Sequence, residues 1–225
     1  LIIPIIDLEV QFVSKWTKLE SIRHQVAIAG QVRNAETGQP IPDALVQLSQ
    51  GPAAFKTRLA LQQLQAGDRW KTLTQRPDLT HSAIDGSFYF LDLPEGDSAG
   101  DRYTLTVSLP ATGTRYAESV AESVTVTSQQ GQIQRATVDI AFPSTALVGQ
   151  IQNSAKQPVK LASVRLDGSN ESAFSDEQGN YLLSALEASP STQRTVRVVA
   201  QGYQPYSKQV SLDRGKTTTL NIQLN

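Results

Sequence analysis

The 225-residue chain has no cysteine, no methionine, only two histidines, and aromatic side chains at just 6% of its positions. Without cysteine there can be no disulfide, no thiolate metal site and no cysteine nucleophile. A cysteine-free β chain can fold in any redox compartment, so the sequence leaves the compartment open. The histidines, His24 and His81, lie far apart in the chain and in no metal-binding spacing such as His-x-His or Glu-x-x-His. Each reads as a solvated or hydrogen-bonded side chain. Gly-x-Ser-x-Gly and phosphate-cradling glycine loops are also missing. No apolar run approaches the roughly 18 residues that span a bilayer. The 20 basic and 21 acidic side chains are intermixed and give a net charge of -1. This lacks the basic stripe of a nucleic-acid binder. The expectation is a protein without catalytic residues, cofactor or metal. With no methionine at position 1, the chain reads as a piece of a longer protein. Its opening Leu1–Ile6 is too short and uncharged for a signal peptide.

What the chain does contain is a repeat. Ile28-Ala29-Gly30-Gln31-Val32 matches Leu147-Val148-Gly149-Gln150-Ile151. Further on, Gln39-Pro40-Ile41 with Ala44, Val46 and Leu48 matches Gln157-Pro158-Val159 with Ala162, Val164 and Leu166. Asp85-Gly86-Ser87-Phe88-Tyr89-Phe90 then matches Gln178-Gly179-Asn180-Tyr181-Leu182-Leu183. Closing strands are expected at Tyr103–Leu109 and Ala136–Phe142 in the first copy, and at Thr195–Ala200 and Thr217–Leu224 in the second. Apolar and polar residues alternate within these segments, as half-buried strands require. Turn chemistry separates them at Glu36-Thr37-Gly38, Asp85-Gly86, Gln178-Gly179-Asn180 and Arg214-Gly215-Lys216. Pro40, Pro42 and Pro158 suit strand entrances or sheet edges, where no ladder N–H is needed. The acidic runs Asp167–Glu171 and Asp176–Asn180 lack the ligand alternation and terminal glutamate of an EF-hand, and read as turns. Asn170-Glu171-Ser172 is a glycosylation sequon with meaning only in a eukaryotic secretory setting.

The expected fold is all-β, two tandem antiparallel β-sandwiches: residues 26–143 with an insertion at about 51–79, and residues 144–225. Residues 1–25 precede them as a separate N-terminal strand or arm. The landmarks Gly30–Val32, Thr37–Val46, Asp85–Phe90 and Leu93–Gly96 resemble the carboxypeptidase regulatory-like domain, a transthyretin-like sandwich. Gly149–Ile151, Pro158–Val164, Asp176–Tyr181 and Gly202-Tyr203 carry the same resemblance in the second copy. Lys160-Leu161 stands where the first copy has Pro42-Asp43, which points to a slightly different turn. The resemblance implies a non-catalytic companion module. Two enzyme groups with related sandwiches do not fit. Hydroxyisourate hydrolases need several histidines and a Tyr-Arg-Gly-Ser end, and intradiol dioxygenases need two closely spaced histidines with two tyrosines. Phe90–Pro94, Tyr103–Pro110 and Arg115-Tyr116 resemble regions appended to bacterial contractile injection proteins, implying a structural part of a phage-tail-like particle in the bacterial cytoplasm.

Two features fall outside the repeat. Ile6, Leu8, Val10 and Phe12 alternate with Asp7, Glu9 and Gln11 as a period-two strand. That strand either joins its own module or an upstream domain, or it adds to a neighbouring subunit's sheet edge, with Trp16 and Leu19 as anchors. In the insertion, Ala53–Gln65 is rich in helix formers, with Phe55, Leu59 and Leu64 at helical spacing. Gly67 should stop this helix, and Trp70 would pack beneath it. Ile6, Leu8, Val10, Phe12, Trp16, Phe55 and Leu59 are therefore the candidate partner-contact residues. The functional expectation is a structural or adaptor component whose partners are other proteins of an assembly, self-association through the N-terminal strand included. The alternative is a carbohydrate- or peptide-binding accessory module of a surface or secreted protein, with Tyr116, Tyr203 and Tyr206 as candidate contacts.

Overall fold

The computed structural model describes residues 24–73, 76–96, 102–129 and 132–225. The expected strand at Ile6–Phe12 and the anchors Trp16 and Leu19 lie outside the described residues. The first half contains β1 (Val26–Asn34), β2 (Leu45–Gln50), α1 (Ala53–Ala66), β3 (Leu79–His81), β4 (Ser87–Leu91), β5 (Tyr103–Ser108), β6 (Val120–Val124), β7 (Thr127–Gln129), β8 (Gln132–Gln134) and β9 (Ala136–Phe142). The second contains β10 (Ala146–Asn153), β11 (Ser163–Leu166), β12 (Ser172–Phe174), β13 (Asn180–Leu183), β14 (Ser189–Val199), β15 (Tyr206–Leu212), β16 (Thr217–Thr219) and β17 (Ile222–Leu224).

Both halves lay out their strands in one order. The first has sheets β4-β1-β9 and β3-β2-β5-β6; the second has β13-β10-β16 and β12-β11-β14-β15, with β17 also paired to β10. Each pair of sheets faces inward on its own apolar cluster. Ile28, Val32, Val46, Phe88, Leu105 and Phe142 belong to the first, and Leu147, Ile151, Val164, Leu166, Val196 and Leu212 to the second. The alternation read from the sequence sets these faces: β5 buries Tyr103, Leu105 and Val107 and turns Thr104, Thr106 and Ser108 outward. A fully buried Leu, Val or Phe stabilises by roughly 1.5–3 kcal/mol, so these inward rows dominate each half's stability.

The pairing corrects the all-antiparallel expectation. β1 pairs with β9 in parallel, and β10 with β16 and β17 in parallel. β9 follows the separate β7–β8 hairpin and β16 follows β15 of the opposite sheet, so no local turn joins either to its partner and imposes antiparallel pairing. The strand expected at Thr217–Leu224 is split in two. At the break, Leu220 N–H donates to the Val148 carbonyl, and its own carbonyl accepts the Tyr181 hydroxyl at 2.7 Å. β14 begins earlier than the alternation indicated, at Ser189. The hairpin β7–β8 had no counterpart in the sequence reading.

The repeated motifs act as internal fastenings. A Cβ on Gly30 would meet the Phe88 ring at 2.3 Å and the Val138 carbonyl at 2.4 Å; one on Gly149 would meet the Leu220 carbonyl at 1.9 Å. Glycine lets the aromatic of β4 or β13 and the closing strand approach the backbone. Gly86 and Gly179 both sit at φ 78°, each pressed against a carbonyl of the first strand and the ring of Pro40 or Pro158. Asp43 and Leu161 both adopt φ 56°. The turn is therefore the same in both halves despite the replacement of Pro42-Asp43 by Lys160-Leu161. Its conformation is fixed by hydrogen bonds to the residue just past β3 or β12, Asp43 N–H to Ser82 O and Leu161 N–H to Ser175 O, each 2.9 Å.

Candidate functional site

A surface groove of about 570 Å³ runs between β3 and β4. Among the described residues, each of these strands has a hydrogen-bonded neighbour on one side only. β3 contributes Leu79, Thr80 and His81, and β4 contributes Tyr89, Phe90 and Leu91. Strand alternation buries Phe88 and Phe90 and leaves Tyr89 52% and Leu91 44% exposed. The insertion adds Arg58 from α1, with Arg76 and Pro77 beyond it.

Asp92, just past β4, organises one end. Its carboxylate accepts from His24 Nδ1 at 2.5 Å and from the Gln25 N–H at 2.9 Å, while its carbonyl accepts from Arg58 at 2.7 Å. The His24 and Gln25 hydrogen bonds hold its carboxyl below the usual carboxylate range. At the other end His81 Nδ1 donates to Asp43 at 2.9 Å. Arg76 makes a two-pronged pair with the buried Asp78 and lies over the Trp70 ring at 4.7 Å. Trp70 is thus half-buried under a guanidinium, in the short 3₁₀ turn Gly67–Thr72 that follows α1.

Sequence separation hid the meeting of His24 and His81 at one groove. Both use Nδ1 on a carboxylate, and among the described residues no hydroxyl or thiol is hydrogen-bonded to either Nε2. Among the described residues no three His, Cys, Asp or Glu side chains are grouped to hold a metal ion. None of the described helices is long and apolar enough to cross a membrane. Among the described residues the groove offers two strand edges without a partner, a phenol, aliphatic surface and a guanidinium, a set suited to an extended polypeptide.

Other candidate residues are placed elsewhere. Phe55 is 2% exposed and stacks edge-on against Tyr103 at 5.3 Å, so it anchors α1 to the core and turns no surface to a partner. Leu59 is half-buried against the same core. Among the described residues of the insertion the outward large apolar side chains are Leu61, Leu64 and Leu73, so Leu64 does not share the burial of Phe55 and Leu59 despite its helical spacing with them. Tyr203 and Tyr206 pack on the second core, and Tyr116 stacks on Phe142 at 6.1 Å.

A second arrangement escaped the sequence reading altogether. Ser144 and Thr145, between β9 and β10, and Ala146, which opens β10, are wholly buried. The β5–β6 loop lies across them. Arg115 reaches Glu187 and Glu171, each at 2.9 Å, and the Thr114 hydroxyl donates to Glu187 at 2.6 Å. Arg214 donates to the Tyr116 carbonyl at 2.9 Å, and Gly215 lies against Ala117 with no room for a Cβ. The Thr145 hydroxyl links both sides, accepting from Gly215 N–H and donating to the Thr114 carbonyl. Hydrogen bonds from Thr114 and Arg115 hold the Glu187 carboxyl below its ordinary range, and Glu187 and Glu171 raise Arg115 above its own.

Residues 146–225 match the carboxypeptidase regulatory-like domain family. Comparison with curated protein sequences gives no match. Among solved structures the chain is similar to a chain of a mutant type II cohesin–X-dockerin complex from Acetivibrio cellulolyticus (17% identity, TM-score 0.31), over 36% of this chain and 57% of that one. It is also similar to GBS52, the minor pilin of Streptococcus agalactiae, at 15% identity over 88% of this chain and 94% of the pilin (TM-score 0.30). With the shaft pilin SpaA from Lactobacillus rhamnosus GG the identity is 9%, over 90% and 98% of the two chains (TM-score 0.38). The chain thus spans 57% of the length of the cohesin–X-dockerin chain.

Proposed function

We propose that the chain is a non-catalytic interaction module, two tandem transthyretin-like sandwiches at residues 26–143 and 144–225, held as one stiff body that presents surfaces to protein partners. The observation that carries this reading is the buried connection at Ser144–Ala146, clamped by Arg115, Glu171, Glu187 and Thr145. A flexible linker would expose such residues and leave their backbone groups to water. Stiffness of this kind serves a spacer or scaffold. The groove between β3 and β4 supplies a surface suited to polypeptide, which favours the setting of an accessory module on a surface or secreted protein. A contractile injection particle has no support in the comparisons. Sugar binding is disfavoured by the packing of Tyr116, Tyr203 and Tyr206 against the two cores.

The test is rotational diffusion measured by NMR relaxation on each half, in the native chain and in an Arg115→Ala/Glu187→Ala variant. The native halves should share one correlation time and the variant's halves should separate. Two independent correlation times in the native chain would overturn the proposal.

A further inference from the structure

The helix of the insertion has two apolar faces, and the core uses one. At about 100° per residue, Phe55 and Leu59 fall on the side that packs against the first core. Ala53, Thr57, Ala60, Leu61 and Leu64 fall on the opposite side, and all five are exposed, Leu64 to 80%. Lys56 and Arg58 flank this outward stripe, one on each side, and no acidic residue occurs from Ala53 to Gly67. Arg69 and Lys71 follow in the 3₁₀ turn, with Leu73 exposed just past it. Lys56, Arg58, Arg69 and Lys71 form no ion pair among the described residues. One carboxylate, Asp68, stands among these four cations in a chain of net charge -1, so the rest of the chain is acidic on balance.

We infer that this outward face of α1 docks on an anionic lipid surface, with the helix lying in the headgroup plane and Leu61 and Leu64 turned into it. Leucines on one face with cations along its borders form an interfacial helix. The apolar side chains enter the acyl boundary while the long cationic ones reach the headgroup phosphates. The acidic remainder of the chain is repelled from the same surface, so the charge distribution also turns the insertion toward the lipid. The size of the stripe argues against a protein partner. It runs about 17 Å along a helix about 10 Å across, on the order of 200 Å², whereas each partner of a stable protein interface buries about 800 Å². A lipid surface sets no such minimum, because each cation and each inserted side chain adds its own attraction. Other segments of the chain do not match the charge. Residues 1–23 hold three acidic and three basic side chains, and residues 97–101 only two carboxylates.

The test is co-sedimentation of the full chain with vesicles of phosphatidylcholine alone and of phosphatidylcholine with one-third phosphatidylglycerol. The native chain should bind the anionic vesicles and not the neutral ones, and should release them as salt is raised. Leu61→Ser/Leu64→Ser and Lys56→Glu/Lys71→Glu should each weaken binding by about tenfold or more. Lys160→Glu/Lys208→Glu makes the same charge change at exposed sites of the second half and should bind as the native chain does. Binding to neither vesicle, or to both equally, would overturn the inference. So would a leucine variant that binds like the native chain, or a second-half variant that loses as much as the α1 variant. Polyglutamate held as tightly as the anionic vesicles, and released by the leucine substitutions, would assign the face to an acidic polypeptide and overturn it too. All the substituted residues are exposed, and circular dichroism on each variant checks that the fold is retained. None of these outcomes touches the shared correlation time of the two halves, so this inference and the interaction-module reading fall separately.

Discussion

The two halves share a strand order and a set of fastenings, and differ almost entirely in what is attached outside them. Gly30 and Gly149, Gly86 and Gly179, and Ser82 and Ser175 occupy matching places with matching contacts. The first half alone carries α1, the β7–β8 hairpin and the long β5–β6 loop that grips its neighbour. The repeat is therefore fold chemistry, and function is to be sought in the additions. A groove walled partly by an insertion residue, Arg58, and a joint built by one enlarged loop both fit that division.

The strongest way to break the comparison is at the paired glycines. Gly149→Ala would drive a methyl into the Leu220 carbonyl, and Gly30→Ala into the Val138 carbonyl and the Phe88 ring. Neither site can relax without moving a closing strand. Each variant should lose on the order of 3 kcal/mol in urea unfolding. A near-neutral Gly149→Ala would show that β10 and the closing strand do not approach as described.

Next come the buried serines. Ser82 Oγ accepts the Ala44 N–H at 2.9 Å and donates to the Ile41 carbonyl at 2.7 Å; Ser175 does the same with Ala162 and Val159 at the same distances. Replacing either by alanine strands a buried N–H and should cost about 1–3 kcal/mol. The two losses should agree within about 0.5 kcal/mol if the halves are equivalent there. A loss confined to one half would break the equivalence at a buried polar point that both halves share.

The joint makes a smaller effect, and one that depends on pH. Glu187 has a folded-state pKa below its ordinary value of 4.5. Its stabilisation is fully present above that ordinary value and is lost as pH falls through the lower folded value. Arg115 stays protonated throughout and adds no change of its own in this range. The shared correlation time of the halves should therefore persist at pH 5 and above and give way only as pH falls through the lowered folded-state value. Glu187→Gln should remove this dependence, and a native joint that survives full protonation of its carboxylates would show that Glu187 is not its clamp.

Much of the fold was legible because it rests on local pattern. Alternation placed β2, β5 and β11 with their buried faces, and helix formers ending at Gly67 placed α1. The parallel pairing of β1 with β9 was hidden, because strand direction depends on connections that no residue spells out. The paired serines could have been found: each lies four residues before the turn glycine, as Ser82 before Gly86 and Ser175 before Gly179. The groove was less accessible. His24, Arg58, His81 and Asp92 are drawn from four separate segments, and only the topology brings them to one rim. The burial of Phe55 was equally opaque, since helical spacing shows that a face exists and not which way it turns.

The finest comparison lies in the turn before β2 and β11, where Asp43 and Leu161 both hold φ 56°. Aspartate tolerates the left-handed region and here also binds His81, whereas leucine meets its own backbone and remains 71% exposed. The second half thus carries strain at this turn that the first does not. Leu161→Asn should relieve it and raise stability by about 0.5–1 kcal/mol, read as a higher urea midpoint at unchanged slope. The reverse exchange, Asp43→Leu, should lower the midpoint by at least as much, because it adds the strain and removes the His81 contact. Gain in one half with loss in the other would sharpen the likeness to a single turn tuned twice. No gain from Leu161→Asn would mean that the leucine is retained at no backbone cost, and that the two turns differ in energy landscape despite their common shape.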